Sequence, residues 1–298
     1  MDIKELINGG WGRHEKDSAA LAADLEANVA LAETPAHVAA YIQLANHTIG
    51  GHLKDWPRAA ALAARLLDGR KDAHELAVPY SGLAVAQYLA GHEPAAMASE
   101  LHSVRLTDME PVSMMLRTRA LVAAALIESG RVDDGATVYD AALKLARSRD
   151  EKLACDQTLA MTSNNLASEL SEKPERTEAE DALMLKAAEA AREFWLKCGT
   201  WENEERAEYL LAIVHNRLNQ PDKALEHAAR ALEVISKNGE EVVDEAFVNL
   251  SMAKSFSLKQ DRAAYDRVMA RAVELAEEFN DDGLKTWFNE TKAKVEWN

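Results

Sequence analysis

The amino-acid sequence predicts an all-α protein built as an α-solenoid of antiparallel helix hairpins. Of its 298 residues only 13 are Gly and 7 are Pro, so long stretches contain no helix breaker. The strong helix formers Ala, Leu, Glu, Lys and Arg dominate the composition, and no run of alternating apolar and polar residues indicates a strand. A helix–turn–helix pattern also recurs along the chain at a near-regular interval, which is typical of stacked repeats.

The clearest copy of this pattern spans Glu205 to Asn238. Leu211 and Ala212 lie in its first helix, and a polar turn from Asn219 to Asp222 follows. Small residues recur along one stripe of the second helix, at Ala224, Ala228 and Ala231. These small side chains let the two helices approach closely.

Five further copies begin near residues 40, 77, 116, 160 and 246, so six helix pairs are predicted over residues 36–275. The intervals between successive starts are 37, 39, 44, 45 and 41 residues. In the copy that begins near 160, Thr177 and Glu180 predict a capping box at the start of the second helix. The longer turn before it, Ser171 to Arg176, is a candidate joint in an otherwise continuous array.

Three features carry a resemblance to a known family. They are an apolar–Ala pair in each first helix (Leu83 with Ala84, Val122 with Ala123, Leu211 with Ala212), a Gly or Asp turn, and a second helix with Ala or aromatic residues at spacings of three and four. Together they resemble the tetratricopeptide repeat over roughly residues 36–275. The family's Trp near the start of each first helix is absent, as is most of its Pro after the second helix. The resemblance implies a right-handed superhelix whose concave groove is lined by the first helices.

Both ends of the chain are interpreted as caps of a single domain over residues 1–298. Residues 1–35 form the N-terminal cap, with one helix predicted over 14–32, and Thr34 and Pro35 open the next helix as N-cap and first residue. Residues 276–298 form the C-terminal cap, with a helix over 282–297. Solenoids use such polar end units to stay soluble.

Composition excludes several classes of partner. The formal net charge of −16 opposes binding to nucleic acid and to an anionic membrane surface. The longest uncharged stretch, Ala36 to Leu53, contains Gln, Asn and His and does not resemble a membrane span. No signal peptide is recognisable, and Cys155 and Cys198 are 43 positions apart, which fits neither a disulfide framework nor a metal motif. A cytoplasmic protein is expected.

The sequence offers no catalytic motif, and neither a metal site nor a cofactor is expected. His47 and His52 are five residues apart, which on an α-helix separates their rings by about 140°, whereas zinc ligands on one helix prefer spacings of three or four. We therefore interpret them as polar or turn-flanking residues.

The predicted function is recognition of a protein or peptide partner in the concave groove. Members of the family that bind peptides use Asn, Arg and Lys on the first helices, and the resemblance carries this role to eight residues of this chain: Arg117, Asn164, Asn165, Arg206, Tyr209, Asn216, Arg217 and Lys254. Such groups hold a C-terminal carboxylate or acidic side chains through charge-assisted hydrogen bonds.

Three alternatives stay open. The same groove suits a regulator that senses a small molecule or a signalling peptide. A metal-dependent enzyme would need His47, His52 and nearby carboxylates as ligands. Trp287 and Phe288 near the C-terminus offer a surface for a homodimer.

Overall fold

The computed structural model describes residues 2–149, 151–239, 241–295 and 297. Within these ranges the chain forms fifteen α-helices, two short 3₁₀ turns and one π-helical segment, without a strand. The all-α, solenoid-like fold class is confirmed. By their internal contacts the residues divide into two compact units, which we call the N-terminal unit (Met1–Cys155) and the C-terminal unit (Asp156–Asn298).

The N-terminal unit contains eight α-helices. They are α1 (Ile3–Arg13), α2 (Ser18–Ala27), α3 (Pro35–Ala45), α4 (Trp56–Leu67), α5 (Ala77–Leu89), α6 (Glu93–Leu106), α7 (Pro111–Glu128) and α8 (Val132–Arg147). A π-helical segment (Asn46–His52) extends α3, and 3₁₀ turns occupy Val29–Leu31 and His74–Leu76. Helices α3 and α4, α5 and α6, and α7 and α8 form hairpins, and the first helices α3, α5 and α7 pack in sequence.

The C-terminal unit contains seven α-helices. They are α9 (Asp156–Glu172), α10 (Glu178–Cys198), α11 (Trp201–Arg217), α12 (Pro221–Asn238), α13 (Val242–Leu258), α14 (Arg262–Ala276) and α15 (Asp282–Lys294). The first helices α9, α11 and α13 pack side by side, and each also packs against the second helix of its own hairpin. The six predicted helix pairs are therefore all present.

The same turn closes four of the six hairpins. Its central residue has a positive φ in each case: Gly91 (76°), Gly130 (86°), Asn219 (55°) and Gln260 (58°). The N–H of that residue bonds to the carbonyl three positions back, and the next N–H bonds to the carbonyl five positions back, as in a Schellman motif. The turn therefore satisfies the carbonyls that the end of the first helix leaves unpaired.

Neighbouring first helices are joined by hydrogen bonds from asparagine amides at similar places in two hairpins. Asn46 donates from Nδ2 to the carbonyl of Gly82 at 2.9 Å, which links the end of the first hairpin's first helix to α5. Asn216 donates in the same way to the carbonyl of Ser251 at 2.9 Å, linking α11 to α13. These bonds fix one hairpin against the next in each unit.

The predicted single helix over residues 14–32 is wrong. Instead α1 ends at Arg13, α2 spans Ser18–Ala27, and a 3₁₀ turn follows. Helix α1 begins at a capping box between Asp2 and Glu5 that the sequence analysis missed. The chain reverses after α1, and Arg13 at its end pairs with Asp24 of α2. The N-terminal cap thus contains two helices.

Other predicted boundaries agree with the structure. Thr34 accepts a bond from the N–H of His37 at 3.2 Å ahead of Pro35, and Thr177 and Glu180 form the predicted capping box. The predicted joint at 171–176 lies inside the α9–α10 hairpin, whereas the two units divide at Cys155 and Asp156. No helix in the described ranges has the length and apolar character needed to cross a bilayer.

Candidate functional site

The eight predicted groove residues are divided between the two units. Arg117 lies on α7 in the N-terminal unit, where it is partly buried and burial lowers the pKa of its guanidinium. The other seven lie on α9, α11 and α13 of the C-terminal unit. The candidate site is therefore built on the C-terminal unit alone.

Helices α9 and α11 each leave one stripe uncovered by their neighbours, and α13 adds the partly exposed Lys254. We call these residues together the first-helix face. The fully or partly exposed residues on it are Met161, Asn164, Asn165 and Ser168 of α9, Arg206, Tyr209, Ile213 and Arg217 of α11, and Lys254 of α13. On α11 the spacings of three and four residues place the side chains along one line of the helix surface.

Asn216 does not belong to this face, which corrects the prediction. Its side chain is 8% exposed. Its amide donates to the carbonyl of Ser251, and its oxygen accepts a bond from the hydroxyl of Ser255 at 2.8 Å. A buried amide that is satisfied on both sides holds α11 to α13, so Asn216 is a structural link.

Arg206 is exposed, but acidic neighbours compensate its charge. Its Nη2 lies 2.8 Å from Oδ2 of Asp244, and its Nε lies 3.4 Å from Oε1 of Glu205. Burial, together with the nearby Asp244 carboxylate, raises the pKa of Glu205 to about 9. Glu205 is therefore protonated at neutral pH, and Asp244 is the neighbour to which Arg206 donates a hydrogen bond.

Arg217 remains the most available guanidinium of the face. Its Nη2 donates to the carbonyl of Lys173 at 2.7 Å, which leaves the rest of the exposed fork open to solvent. Partial burial and the positive charge of Arg176 lower the pKa of Arg217. Arg176 itself pairs with Asp181, whose Oδ1 lies 2.6 Å from its Nε, so its charge is already compensated.

The other four candidates differ in whether contacts within the protein already occupy their side chains. Tyr209 packs between two apolar clusters, and burial raises the pKa of its hydroxyl. Within the described ranges no intramolecular hydrogen bond or ion pair engages the side chains of Asn164, Asn165 and Lys254. With Arg217, these three supply the polar groups that a partner could reach.

A histidine cluster in the N-terminal unit corrects the interpretation of His47 and His52. The two residues lie in the π-helical segment, where residues five apart share a face, and their Nε2 atoms are 3.3 Å apart. His14, which follows α1, joins them with ring centroids 4.8 Å and 5.2 Å away. The predicted separation of 140° assumed an α-helix, which the chain does not form here.

Two glycines fit the π-helical segment to its neighbours. A Cβ on Gly50 would lie 2.5 Å from the ring of Trp56, and a Cβ on Gly51 would lie 3.1 Å from Oε1 of Glu128. The N–H of Asp55 reaches back six residues to the carbonyl of Ile49 at 2.9 Å, one residue farther than the corresponding bond in the other hairpins. This one-residue insertion places His47 and His52 on the same face of the segment.

Neighbouring groups hold one ring of the cluster and lower the pKa of another. The backbone carbonyl of Trp11 can only accept a hydrogen bond and lies 2.6 Å from Nδ1 of His14, so Nδ1 is the donor. Burial lowers the pKa of His47 to about 4, and the charges of His52 and His14 contribute to that shift. Oε1 of Glu15 lies 3.9 Å from Nε2 of His14.

Comparison with known proteins adds little to this geometry. No family model matches the chain, and no curated protein matches it. Among solved structures, the chain is similar to the crystal structure of BtubC (BKLC) from P. vanneervenii, with 14% identity. The match covers 83% of this chain and 92% of that chain at a TM-score of 0.46, a level of likeness on which no argument is based.

Proposed function

We propose that the protein is a binding module that holds an acidic peptide segment, or a C-terminal carboxylate, on the first-helix face of its C-terminal unit. The observation that supports this proposal is the accessible set of Asn164, Asn165, Arg217 and Lys254 on three adjacent helices. Apart from one hydrogen bond from Arg217 to the carbonyl of Lys173, contacts within the described residues do not occupy their polar groups, although the chain as a whole carries a charge of −16.

The chemistry of the face matches an anionic peptide. Side-chain amides can both donate hydrogen bonds to a peptide backbone and accept them from it. A guanidinium fork pairs with a carboxylate through two parallel hydrogen bonds. Met161 and Ile213 add apolar surface between these groups, and Met161 is 49% exposed. A short extended peptide would therefore combine polar anchors with apolar contacts, the combination that gives recognition sites their specificity.

A peptide-display experiment tests the proposal. Random peptides with free C-termini would be selected on the full chain, and the affinity of the enriched sequences would be measured by fluorescence anisotropy at low and high salt. We expect acidic sequences, binding that weakens with salt, and a loss of about tenfold or more for Arg217→Glu and for Lys254→Glu, since hydrogen bonds to charged groups contribute about 1.5–3 kcal/mol.

Arg230→Glu supplies the matched control. Arg230 lies on the second helix α12 and pairs with Glu226 one turn away, so its reversal changes net charge by the same amount without touching the face. Equal losses in all three variants would show a general charge effect, and unchanged affinity in the two face variants would refute the site. Asn165→Ala tests the amide contribution without a change in charge.

A further inference from the structure

The three-histidine cluster of the N-terminal unit has the arrangement of a metal centre. The reachable ring nitrogens of His14, His47 and His52 all lie within 4.8 Å of one another. Two of the residues come from the π-helical segment and the third from the end of α1, so three ligands converge from two separate parts of the fold. We propose that His14, His47 and His52 bind one zinc ion per chain.

The spacing of the nitrogens fits zinc. Zn–N bonds of about 2.0–2.1 Å in a tetrahedron require neighbouring nitrogens about 3.3–3.4 Å apart. The Nε2 atoms of His47 and His52 are 3.3 Å apart, which is one edge of that tetrahedron. The ring centroids of His14 and His47 are 4.8 Å apart. The His14 ring would need to move closer for its nitrogen to complete a triangular face of the tetrahedron.

A hydrogen bond and ring packing hold two of the histidine rings in place. The bond between Nδ1 of His14 and the carbonyl of Trp11 (2.6 Å) is the support that metal-binding histidines commonly receive from a backbone carbonyl. With Nδ1 engaged in this way, Nε2 is the nitrogen of His14 left to bind a metal. Trp11 also packs against His14 and His47 at centroid distances of 5.5 Å and 5.2 Å, which restricts both rings.

The donor set selects the class of metal. Three imidazole nitrogens suit zinc and the later first-row divalent ions, whereas magnesium and calcium prefer oxygen ligands. The three histidines supply three nitrogens, which leaves the fourth position of a tetrahedral ion to water. Because His52 is exposed, the ion has a path from solvent.

The experiment is a zinc titration of the tag-free, chelator-treated full chain by isothermal calorimetry. We expect one zinc per chain and a loss of affinity of about tenfold or more in His52→Gln and in His14→Gln, as removal of one ligand of a three-ligand site requires. His92→Gln, at an exposed histidine outside the cluster, serves as the control and keeps the wild-type affinity. Circular dichroism checks that each variant is folded.

Cobalt provides a readout that a nonspecific surface histidine would not give. Co²⁺ in a tetrahedral nitrogen site absorbs strongly in the visible range, and it quenches Trp11, which contacts two of the ligands. We expect both signals in the wild type, loss of the visible band in His52→Gln, and loss of the quenching in Trp11→Phe. Less than one zinc per chain, or equal affinity in His52→Gln and the wild type, would overturn the proposal in favour of a simple His47–His52 hydrogen bond.

Discussion

At the scale of single residues, the largest departures from sequence-based expectation come from burial. By sequence Glu205 is one of many carboxylates in an acidic chain, yet its side chain is fully buried beside Arg206 and Asp244. Asn216 was predicted as a groove amide, yet it links two helices. Both residues lie where α11 packs against α13. Sequence periodicity predicts exposure only approximately, because adjacent positions on a helix can differ in whether they face solvent or the neighbouring helix.

Glu205→Gln should stabilise the protein at neutral and alkaline pH. With a folded-state pKa of about 9, against the ordinary 4.5 of a glutamate carboxyl, the folded chain holds a proton that the unfolded chain has lost. The stability contributed by this group is therefore full below about pH 4.5 and falls as pH rises toward 9, by at most about 1.4 kcal/mol per pH unit. Gln keeps the neutral form and removes this loss.

Thermal unfolding of both proteins from pH 5 to pH 9 measures the effect. We expect the melting temperature of Glu205→Gln to exceed that of the wild type by a margin that grows with pH. Glu204→Gln, one position away and partly exposed, is the control and should leave the pH dependence unchanged. A constant difference at all pH values would show that Glu205 is ionised in the folded state.

Gly50→Ala should destabilise the N-terminal unit. The added methyl group would lie 2.5 Å from the Trp56 ring, and a core that must shift to accept an extra methyl loses about 1–3 kcal/mol. Gly9→Ala in α1 is the control, because nothing lies within 4 Å of its Cβ position, and there the helix should gain about 0.5–1 kcal/mol. Urea denaturation compares the two, and equal stabilities would contradict the close packing of the π-helical segment.

At the scale of the elements, the hairpins were predictable and the insertion was not. Turn residues with positive φ at Lys54, Gly91, Gly130, Asn219 and Gln260 reproduce the predicted intervals of 37, 39 and 41 residues, and of 89 across the two middle copies. Apolar periodicity and turn composition carry that information. The π-helical segment shifts the register by one residue but changes neither the apolar periodicity nor the turn composition. The sequence therefore did not predict the histidine cluster.

The Schellman turns predict different effects at different central residues. Gly130→Ala forces a side chain into the left-handed region at φ 86° and should cost about 1–2 kcal/mol. Gln260→Gly relieves the same strain at φ 58° but removes the hydrogen bond from Nε2 of Gln260 to the carbonyl of Ser257 (3.0 Å), so its net effect should be small. Equilibrium unfolding checks both variants, and a loss in Gln260→Gly as large as that in Gly130→Ala would contradict the account.

At the scale of the whole chain, each unit has its own buried core. Apolar residues from α1 to α7 form a large cluster in the N-terminal unit, and smaller clusters around Phe247, Val248 and Val268 occupy the C-terminal unit. The sequence predicted a single domain over 1–298, and that remains a prediction. No Gly-rich or Pro-rich linker marks the division at Cys155 and Asp156, so composition alone did not reveal it.

The packing of Gly50 against Trp56, in the cluster formed by α1 to α7, predicts that damage there stays local. Hydrogen–deuterium exchange of Gly50→Ala should speed up along α3, α4 and α5 and leave α11 to α14 at wild-type rates, since openings follow contiguous packed segments. Faster exchange throughout the C-terminal unit would show instead that the two units unfold as one.

The central claim is that an acidic partner lies on the first-helix face, and photo-crosslinking tests it most directly. A selected acidic peptide carrying a photoreactive group would be bound to the full chain, irradiated, and its attachment sites mapped by mass spectrometry. The proposal predicts attachment to exposed residues of α9, α11 and α13, near Asn165, Ile213 and Lys254, and competition by the unlabelled peptide. Attachment to the second helices α10, α12 and α14, or to the N-terminal unit, would contradict it.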